Sequence, residues 1–568
     1  MMRVMQLTRK NFASAVLLGL IAIILSARLQ LTINRYVDQD EFAYLHWTYL
    51  VSRGLTPYKD FFMNFTPLFS WLARPLFLPQ PSGNLITLAR IWQFIWYFFA
   101  ALLVYKITVV VSKKKLIGFW ATLIFLVFPM TLDKSLEFRP DTVMTVLFLF
   151  GLYLLLADRE LAPKTIFLSG LIFGTSLAIL PKIIYGGAAL FYLLVNKKQS
   201  HKNLSLFWLG LGSCLPIAIL VIYLNLQKIL PLAWINIVDG SYFIKQGEGA
   251  FSLARVFEPF PLVYLPGAGA SWPWLVNTVF CAAVPLGLVI LGKKNFPGAV
   301  TLILTLLGGL LSFFIFPTPY LQYFIPLTAV AGIFAAVAID WLVNRDPFPL
   351  VVRRLAFLMI ILLIAVSFAQ QYLVRASKSS DNRQQKNVID NVLKITRPGE
   401  TVYDMVGSYI FRPDGYYICC NVYSQFADSL NLNLPSLQDS LTNRQTKFII
   451  LDRSGKSLWL PKPEDLNFIN SQYLASPYPK IYFLGQQFSC QNTQCVQVGL
   501  DNHEIHKPLR NRFSIVTGEN YRIITSPAVN EVDINGEIIA ENSLFFAPGL
   551  YNFSVAPQVT NFMIELNR

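Results

Sequence analysis

The sequence predicts a polytopic α-helical membrane protein with about eleven transmembrane helices, followed by a C-terminal soluble α/β plus β domain. Three observations predict it. Of the 568 residues, 54% are hydrophobic and only 14% are charged, whereas soluble proteins carry about 25% charged residues. Apolar runs of about 20 residues, the length that crosses a hydrocarbon core of about 30 Å, recur along the first two thirds of the chain. From residue 378 the composition turns polar, with short β-like runs.

The spans read near 11–28, 85–111, 117–130, 142–157, 165–181, 183–196, 204–224, 273–292, 297–317, 323–343 and 355–373. The first reads as a retained helix rather than a signal peptide, because its apolar run is long and no Ala-x-Ala site follows. Segments 165–181 and 183–196 are short enough to be tilted or re-entrant. Because they form a pair, the orientation of everything downstream is the same either way.

Lys and Arg set that orientation. "MMRVMQLTRK", "SKKK" (112–115), "KKQSHK" (197–202), "KK" (293–294) and "NRDPFPLVVRR" (344–354) fall on one side if the N-terminus is cytoplasmic. The loops 29–84, 131–141 and 225–272 and the tail from 374 are then expected outside. In a bacterial plasma (inner) membrane this makes the tail periplasmic or extracellular. The formal charge of +15 collects in the inner loops, so it gives no support to a nucleic-acid partner.

The chain divides into a membrane domain at 1–377, an α/β domain at 378–505 and a small β domain at 506–568. A helix is expected at 384–396, "RQQKNVIDNVLKI", and Asn535-Gly536 inside "VDINGEII" marks a hairpin. Of six Cys, Cys214 and Cys281 lie in apolar runs and read as small core residues. Cys419, Cys420, Cys490 and Cys495 lie in the tail, where an oxidising compartment allows three complete pairings. No Cys-x-x-Cys or His-Glu-x-x-His supports zinc, and no Walker, Gly-x-Gly-x-x-Gly or Gly-x-Ser-x-Gly motif supports nucleotide or serine-hydrolase chemistry.

Chemistry concentrates in the outer loops. "RYVDQDEFAYLHWTYLVSRGLTPYKDFF" (35–62) places Asp38, Asp40 and Glu41 before a helix-like stretch. Phe42, Leu45, Tyr49 and Leu50 can share a face, which predicts a helix lying on the membrane surface with Trp47 and the tyrosines as interfacial anchors. Capping that helix explains one acid, and three exceed what a cap needs. "TLDKSLEFRPD" (131–141) brings Glu137, Arg139 and Asp141 to the start of a span, either as a pair sealing the helix end or facing a ligand. Lys182 falls between two apolar runs on the side where the positive-inside rule does not place a cation. The loop at 225–272 adds Trp234, Asp239, Tyr242, Lys245 and Arg255, a set that suits sugar stacking and an interfacial belt equally.

These residues resemble membrane glycosyltransferases of the GT-C class, in particular the protein O-mannosyltransferase-like and aminoarabinose-transferase-like enzymes. The resemblance rests on Asp40-Glu41, Tyr44, Gly54, Pro57-Tyr58, Asp60-Phe61-Phe62 and Pro67, on Arg139 and Asp141 in "EFRPD", on Lys182, and on "YLQYFIPLTAVAGIFAA". It covers roughly residues 1–345. It implies a catalytic membrane domain that moves a hexosyl or pentosyl group from a polyprenyl-phosphate sugar to a lipid, glycan or protein acceptor at the outer face. An acid of the first loop is implied as general base: Asp40 at the family's acidic-pair position, with Glu41 its companion and Asp38 the competing candidate. Arg139 and Lys182 are implied to bind the donor phosphate. Tyr44, Tyr58, Asp60, Glu137 and Asp141 are the implied substrate-binding residues. No cofactor is expected to be required, a divalent metal being the alternative. Two other classes fit many spans with buried charges: a lipid or glycolipid transporter or flippase, which predicts internal repeats, and a non-catalytic membrane scaffold, which leaves the first-loop acids without a task.

Overall fold

The computed structural model describes residues 2–158, 160–196, 202–239, 272–315, 320–344, 349–378, 381–419, 432–451, 462–500, 505, 508–529, 531–539 and 543–567. Tyr242, Lys245, Arg255 and Cys420 lie outside the described residues. The chain forms two compact units. The first comprises 1–37, 64–76 and 85–382, and the second 38–63, 77–84 and 383–568.

The first unit is helical. Each expected span coincides with a helix: α1 (Met2–Asn34), α4 (Leu85–Ser112), α5 (Lys115–Val127), α6 (Pro140–Ala157), α7 (Pro163–Ile179), α8 (Gly186–Asn196), α9 (Lys202–Leu226), and the later helices Trp272–Lys294, Phe296–Ile315, Ile325–Asn344 and Leu350–Lys378. Seven of the described helices are long and apolar enough to cross a membrane. The 11 residues of α8 rise only about 16 Å, half of a hydrocarbon core. The span Leu321–Asn344 is the centre of the unit, with 89% of its most apolar window buried, against 11% for Leu350–Ala376. Helices α7 and α9 approach closely because a Cβ at Gly170 or Gly174 would collide with the backbone of Leu209 or Ser213. Small residues at such crossings let membrane helices pack backbone to backbone.

The second unit is built on an eight-stranded sheet with the path β1 (Val402–Tyr403), β2 (Phe448–Ile450), β4 (Ile481–Gln491), β12 (Asn561–Leu566), β7 (Glu519–Ser526) and β10 (Ser543–Phe546). Strands β3 (Tyr473–Ala475) and β5 (Gln494–Val498) also pair with β4. A four-stranded sheet runs β6 (Arg512–Ile515), β11 (Gly549–Ser554), β8 (Val532–Ile534), β9 (Glu537–Ile539). The expected boundary at 505/506 therefore runs through one sheet, since β12 pairs β4 along Asn561–Glu565. An aromatic core holds the two sheets: Phe553 stacks on Phe562 at 4.1 Å, and Phe488 meets Phe553 edge-on at 5.0 Å. Helix Arg383–Ile395 forms where the 3.6-residue pattern predicts it and buries Ile389 and Val392. The Asn535-Gly536 turn joins β8 to β9 with both residues at positive φ, 54° and 87°, as a two-residue hairpin requires. Cys490 bonds Cys495 across the β4–β5 pair, and Cys419 is also disulfide-bonded.

Part of the loop that follows α1 belongs to this second unit. Helix α2 (Gln39–Ser52) does not present an interfacial belt: Trp47 is 1% exposed, and Phe42, Ala43, Tyr44, Leu45, Leu50 and Val51 are buried with it. Glu41, His46 and Thr48 are buried with them, so the helix is enclosed on its polar positions as well. Tyr49 packs against Phe411 at 5.5 Å, Phe62 donates its N–H to the Tyr417 carbonyl, and Gly83 donates its N–H to Asp390.

Candidate active site

The three first-loop acids divide by task. Asp38 is the N-cap of α2, its carboxylate accepting the Asp40 N–H at 3.1 Å. Glu41, 1% exposed, reaches back to accept the Asp38 N–H at 3.0 Å. Together they form a capping box, in which cap and third residue satisfy each other's backbone donors. The cap thus uses two acids rather than one. The carboxylate of Asp40 takes no part in that box, and the residue is half-buried in the first helical turn.

The downstream residues carry the turn. Tyr58 has φ 66° and is 1% exposed; it donates its N–H to the Phe61 carbonyl, and its own carbonyl accepts the Tyr417 hydroxyl at 2.6 Å. Asp60 accepts the Thr56 N–H at 2.6 Å, closing the loop after Gly54, whose φ of 85° suits glycine. Tyr44 is buried and meets Trp47 edge-on at 5.7 Å. All three shape the segment that follows Asp40.

In the first unit, Glu137, Arg139, Asp141 and Lys182 come together in one ion network. Glu137, 0% exposed, takes Arg139 at 3.1 Å, Lys134 at 3.0 Å and Arg35 at 3.6 Å. Arg139 also lies 3.6 Å from Asp141, which accepts Lys182. The Lys182 ammonium in turn sits over the Tyr323 ring, 3.7 Å from its centroid, a cation–π contact. At the other end Arg35 reaches Asp133 at 3.2 Å, and Arg375 grips Asp133 with two bonds of 2.7 and 2.9 Å. Burial would raise the Asp133 carboxyl, but Arg375, Arg35 and Lys134 outweigh it and hold the pKa well below the usual carboxylate range. Among the described ion pairs, the network links Arg35, Lys134, Arg139, Lys182 and Arg375 to Asp133, Glu137 and Asp141.

Arg35, Asp133, Lys134 and Arg375 were not singled out by the sequence reading. Asp133 and Lys134 stand inside the quoted "TLDKSLEFRPD". Arg35 and Arg375 lie at the ends of α1 and of helix Leu350–Lys378 that the charge pattern predicts to be outside. A cation on that side was the signal that marked Lys182, and it marks these two equally.

Among the described residues, one group of His, Cys and acidic side chains lies close enough to share an ion: His46, Asp414 and Cys419, in the second unit. The donors do not fit a metal. Cys419 is disulfide-bonded and offers no thiolate, and both His46 ring nitrogens are bonded to oxygen acceptors.

Residues 64–223 match the family described as dolichyl-phosphate-mannose-protein mannosyltransferase. That segment contains Glu137, Arg139, Asp141 and Lys182. Among solved structures, the chain is similar to ArnT from Cupriavidus metallidurans bound to undecaprenyl phosphate. The TM-score is 0.55 at 13% identity, over 83% of this chain and 98% of that one. It is also similar to the archaeal oligosaccharyltransferase AglB from Archaeoglobus fulgidus in complex with an inhibitory peptide and a dolichol-phosphate. There the TM-score is 0.50 at 11% identity, over 83% of this chain and 74% of that one. No curated protein sequence matches the chain. At these identities the likeness is one of fold.

Proposed function

We propose that this chain, which has the GT-C glycosyltransferase fold and a mannosyltransferase-family segment, moves a sugar from a polyprenyl-phosphate-linked donor to an acceptor hydroxyl at the outer face of the membrane. The observation that carries the reading is the ion network that gathers Arg139 and Lys182 with Arg35, Lys134 and Arg375 at the start of a span. Charges at membrane depth are costly and collect where a substrate needs them. The donor is a phosphodiester with one negative charge, and the departing polyprenyl phosphate is a monoester that approaches two. Cations fixed beside the phosphate favour the second state over the first, which is how fixed charges accelerate a reaction. Arg139 and Lys182 are the assigned phosphate ligands, with Arg35, Lys134 and Arg375 supplying field. That two solved structures of this fold hold undecaprenyl phosphate and dolichol-phosphate supports the choice of donor.

Asp40 is the assigned base. As the acceptor oxygen forms its bond to the anomeric carbon, its proton passes to the Asp40 carboxylate, and the bond from that carbon to the phosphate oxygen breaks. One displacement inverts the anomeric centre, and the reaction as written needs no metal. Asp38 and Glu41 hold the base through the capping box rather than taking the proton themselves. The disulfides of the second unit support an oxidising compartment, and so the outer placement.

The test is direct. Purified protein is given polyprenyl-phosphate sugars and acceptors, and transfer is compared for wild type, Asp40→Asn and Asp38→Asn. Transfer with inverted product, retained in Asp38→Asn and lost in Asp40→Asn, is expected. No transfer with any donor, or full activity in Asp40→Asn, sinks the reading.

A further inference from the structure

His46 has no place in this chemistry, yet both of its ring nitrogens are held by oxygen partners. It is fully buried on α2, six residues past Asp40, which is about 9 Å along a helix. Its Nδ1 lies 2.8 Å from the Ile410 carbonyl oxygen and its Nε2 2.7 Å from an Asp414 carboxylate oxygen. A carbonyl only accepts, and an ionised carboxylate only accepts. Both ring nitrogens must therefore donate, which only the imidazolium does. The same Asp414 oxygen also accepts the Tyr409 hydroxyl, and the Tyr409 ring packs edge-on against His46 at 4.7 Å.

The other titratable groups facing His46 agree with that charge. Tyr409 is held neutral, its pKa pushed well up by burial and by Asp414. Asp404 adds a second, more distant negative charge. Cys419, disulfide-bonded, does not titrate. Burial would push the imidazole down; the Asp414 charge, its hydrogen bond and the Ile410 carbonyl outweigh it and hold the pKa above its ordinary value.

We infer that His46 is a positioning residue, a buried imidazolium that pins the helix carrying Asp40 to the 404–419 segment of the C-terminal domain. The inference rests on the assignment of Asp40 as base. Its pH sign follows from the raised pKa. The pin is complete below about pH 6.5, the unfolded value, and is lost as pH rises through the higher folded value. Loss of one proton removes one of the two donors and lets the helix, and Asp40 with it, shift.

Two measurements on the full-length protein test this. Hydrogen exchange reads the anchoring: His46→Gln and Asp414→Asn should each raise exchange over 39–52 while leaving the helix at 463–472 unchanged, and wild type should show the same loosening on going alkaline. Transfer kinetics read the consequence. Wild-type kcat should fall on an alkaline limb, Asp414→Asn should move that limb down by at least one pH unit, and His46→Gln should erase it with kcat lowered about tenfold and donor KM within twofold. Unchanged exchange in both variants overturns the pin. Raised exchange with an unmoved alkaline limb overturns the positioning role. Wild type with no transferase activity sinks the Asp40 assignment alone, while the exchange data still decide whether His46 holds the helix.

Discussion

In the membrane unit, Glu137 sits at 0% exposure with Arg139, Lys134 and Arg35 around it. In the second unit, Asp38 and Glu41 are acids of the same kind, and each is satisfied by a backbone N–H at the start of a helix. The first arrangement is collective: each ion is tolerated only because several others are present. The second is local, set by four consecutive residues. The difference teaches where a substitution propagates. A change in the network exposes buried charge on several helices at once, whereas a change in the cap stays within one turn.

The largest expected effect belongs to neither arrangement. Asp40 lies beside the cap but outside it, so Asp40→Asn should leave the capping box intact. General-base catalysis is worth about 10²–10⁴-fold, and kcat for transfer should drop by that factor with the thermal midpoint in detergent unchanged. A fall in midpoint together with activity would blur the contrast and place Asp40 within the structural set.

Next comes Glu137→Gln. The isosteric amide keeps volume and removes the charge that three cations share. Breaking a buried ion pair costs about 3–5 kcal/mol, so thermal stability in detergent should fall steeply and activity with it. Arg375→Gln is milder. Asp133 loses its two bonds to Arg375 but keeps Arg35 at 3.2 Å, and the glutamine leaves no buried charge of its own, so the loss should stay below that of Glu137→Gln. The depressed Asp133 carboxyl gives the sign of the pH dependence. The stabilisation is present above the ordinary value of about 3.9 and is lost as pH falls through the lower folded value. Arg375→Gln should flatten that acid-side loss, which thermal scans carried from pH 7 down to about pH 2 would read.

How much of this was legible in the sequence follows the same division. Each apolar run coincides with a helix among the described residues, because burial in lipid demands length and hydropathy that few other environments do. Asn535-Gly536 located a hairpin because a two-residue turn demands positive φ at both positions. Arg139, Asp141 and Lys182 stood out as charges out of place, and they do share one network. What stayed hidden was long-range pairing. His46 meets Asp414 across 368 residues, and Gly83 meets Asp390 across 307. No periodicity encodes such a partner, so the helix after Asp40 read as lying on a surface when it is buried. For the same reason, Trp47 read as an anchor.

The smallest predicted effect sharpens the comparison most. Asp38 and Asp40 both fit the first-loop pattern, and the structure gives Asp38 the capping role. Asn is as good an N-cap as Asp, while Ala costs about 1 kcal/mol. Asp38→Asn should therefore hold stability within a few tenths of a kcal/mol and keep most of the transfer rate. Asp38→Ala should lose about 1 kcal/mol and loosen the first turn that carries Asp40. A proton-accepting Asp38 makes the opposite pattern, with Asn as damaging to kcat as Ala and no difference between them traceable to stability. Measuring kcat and thermal midpoint for the two variants side by side thus distinguishes a cap from a base at a position where charge, burial and sequence context are nearly the same.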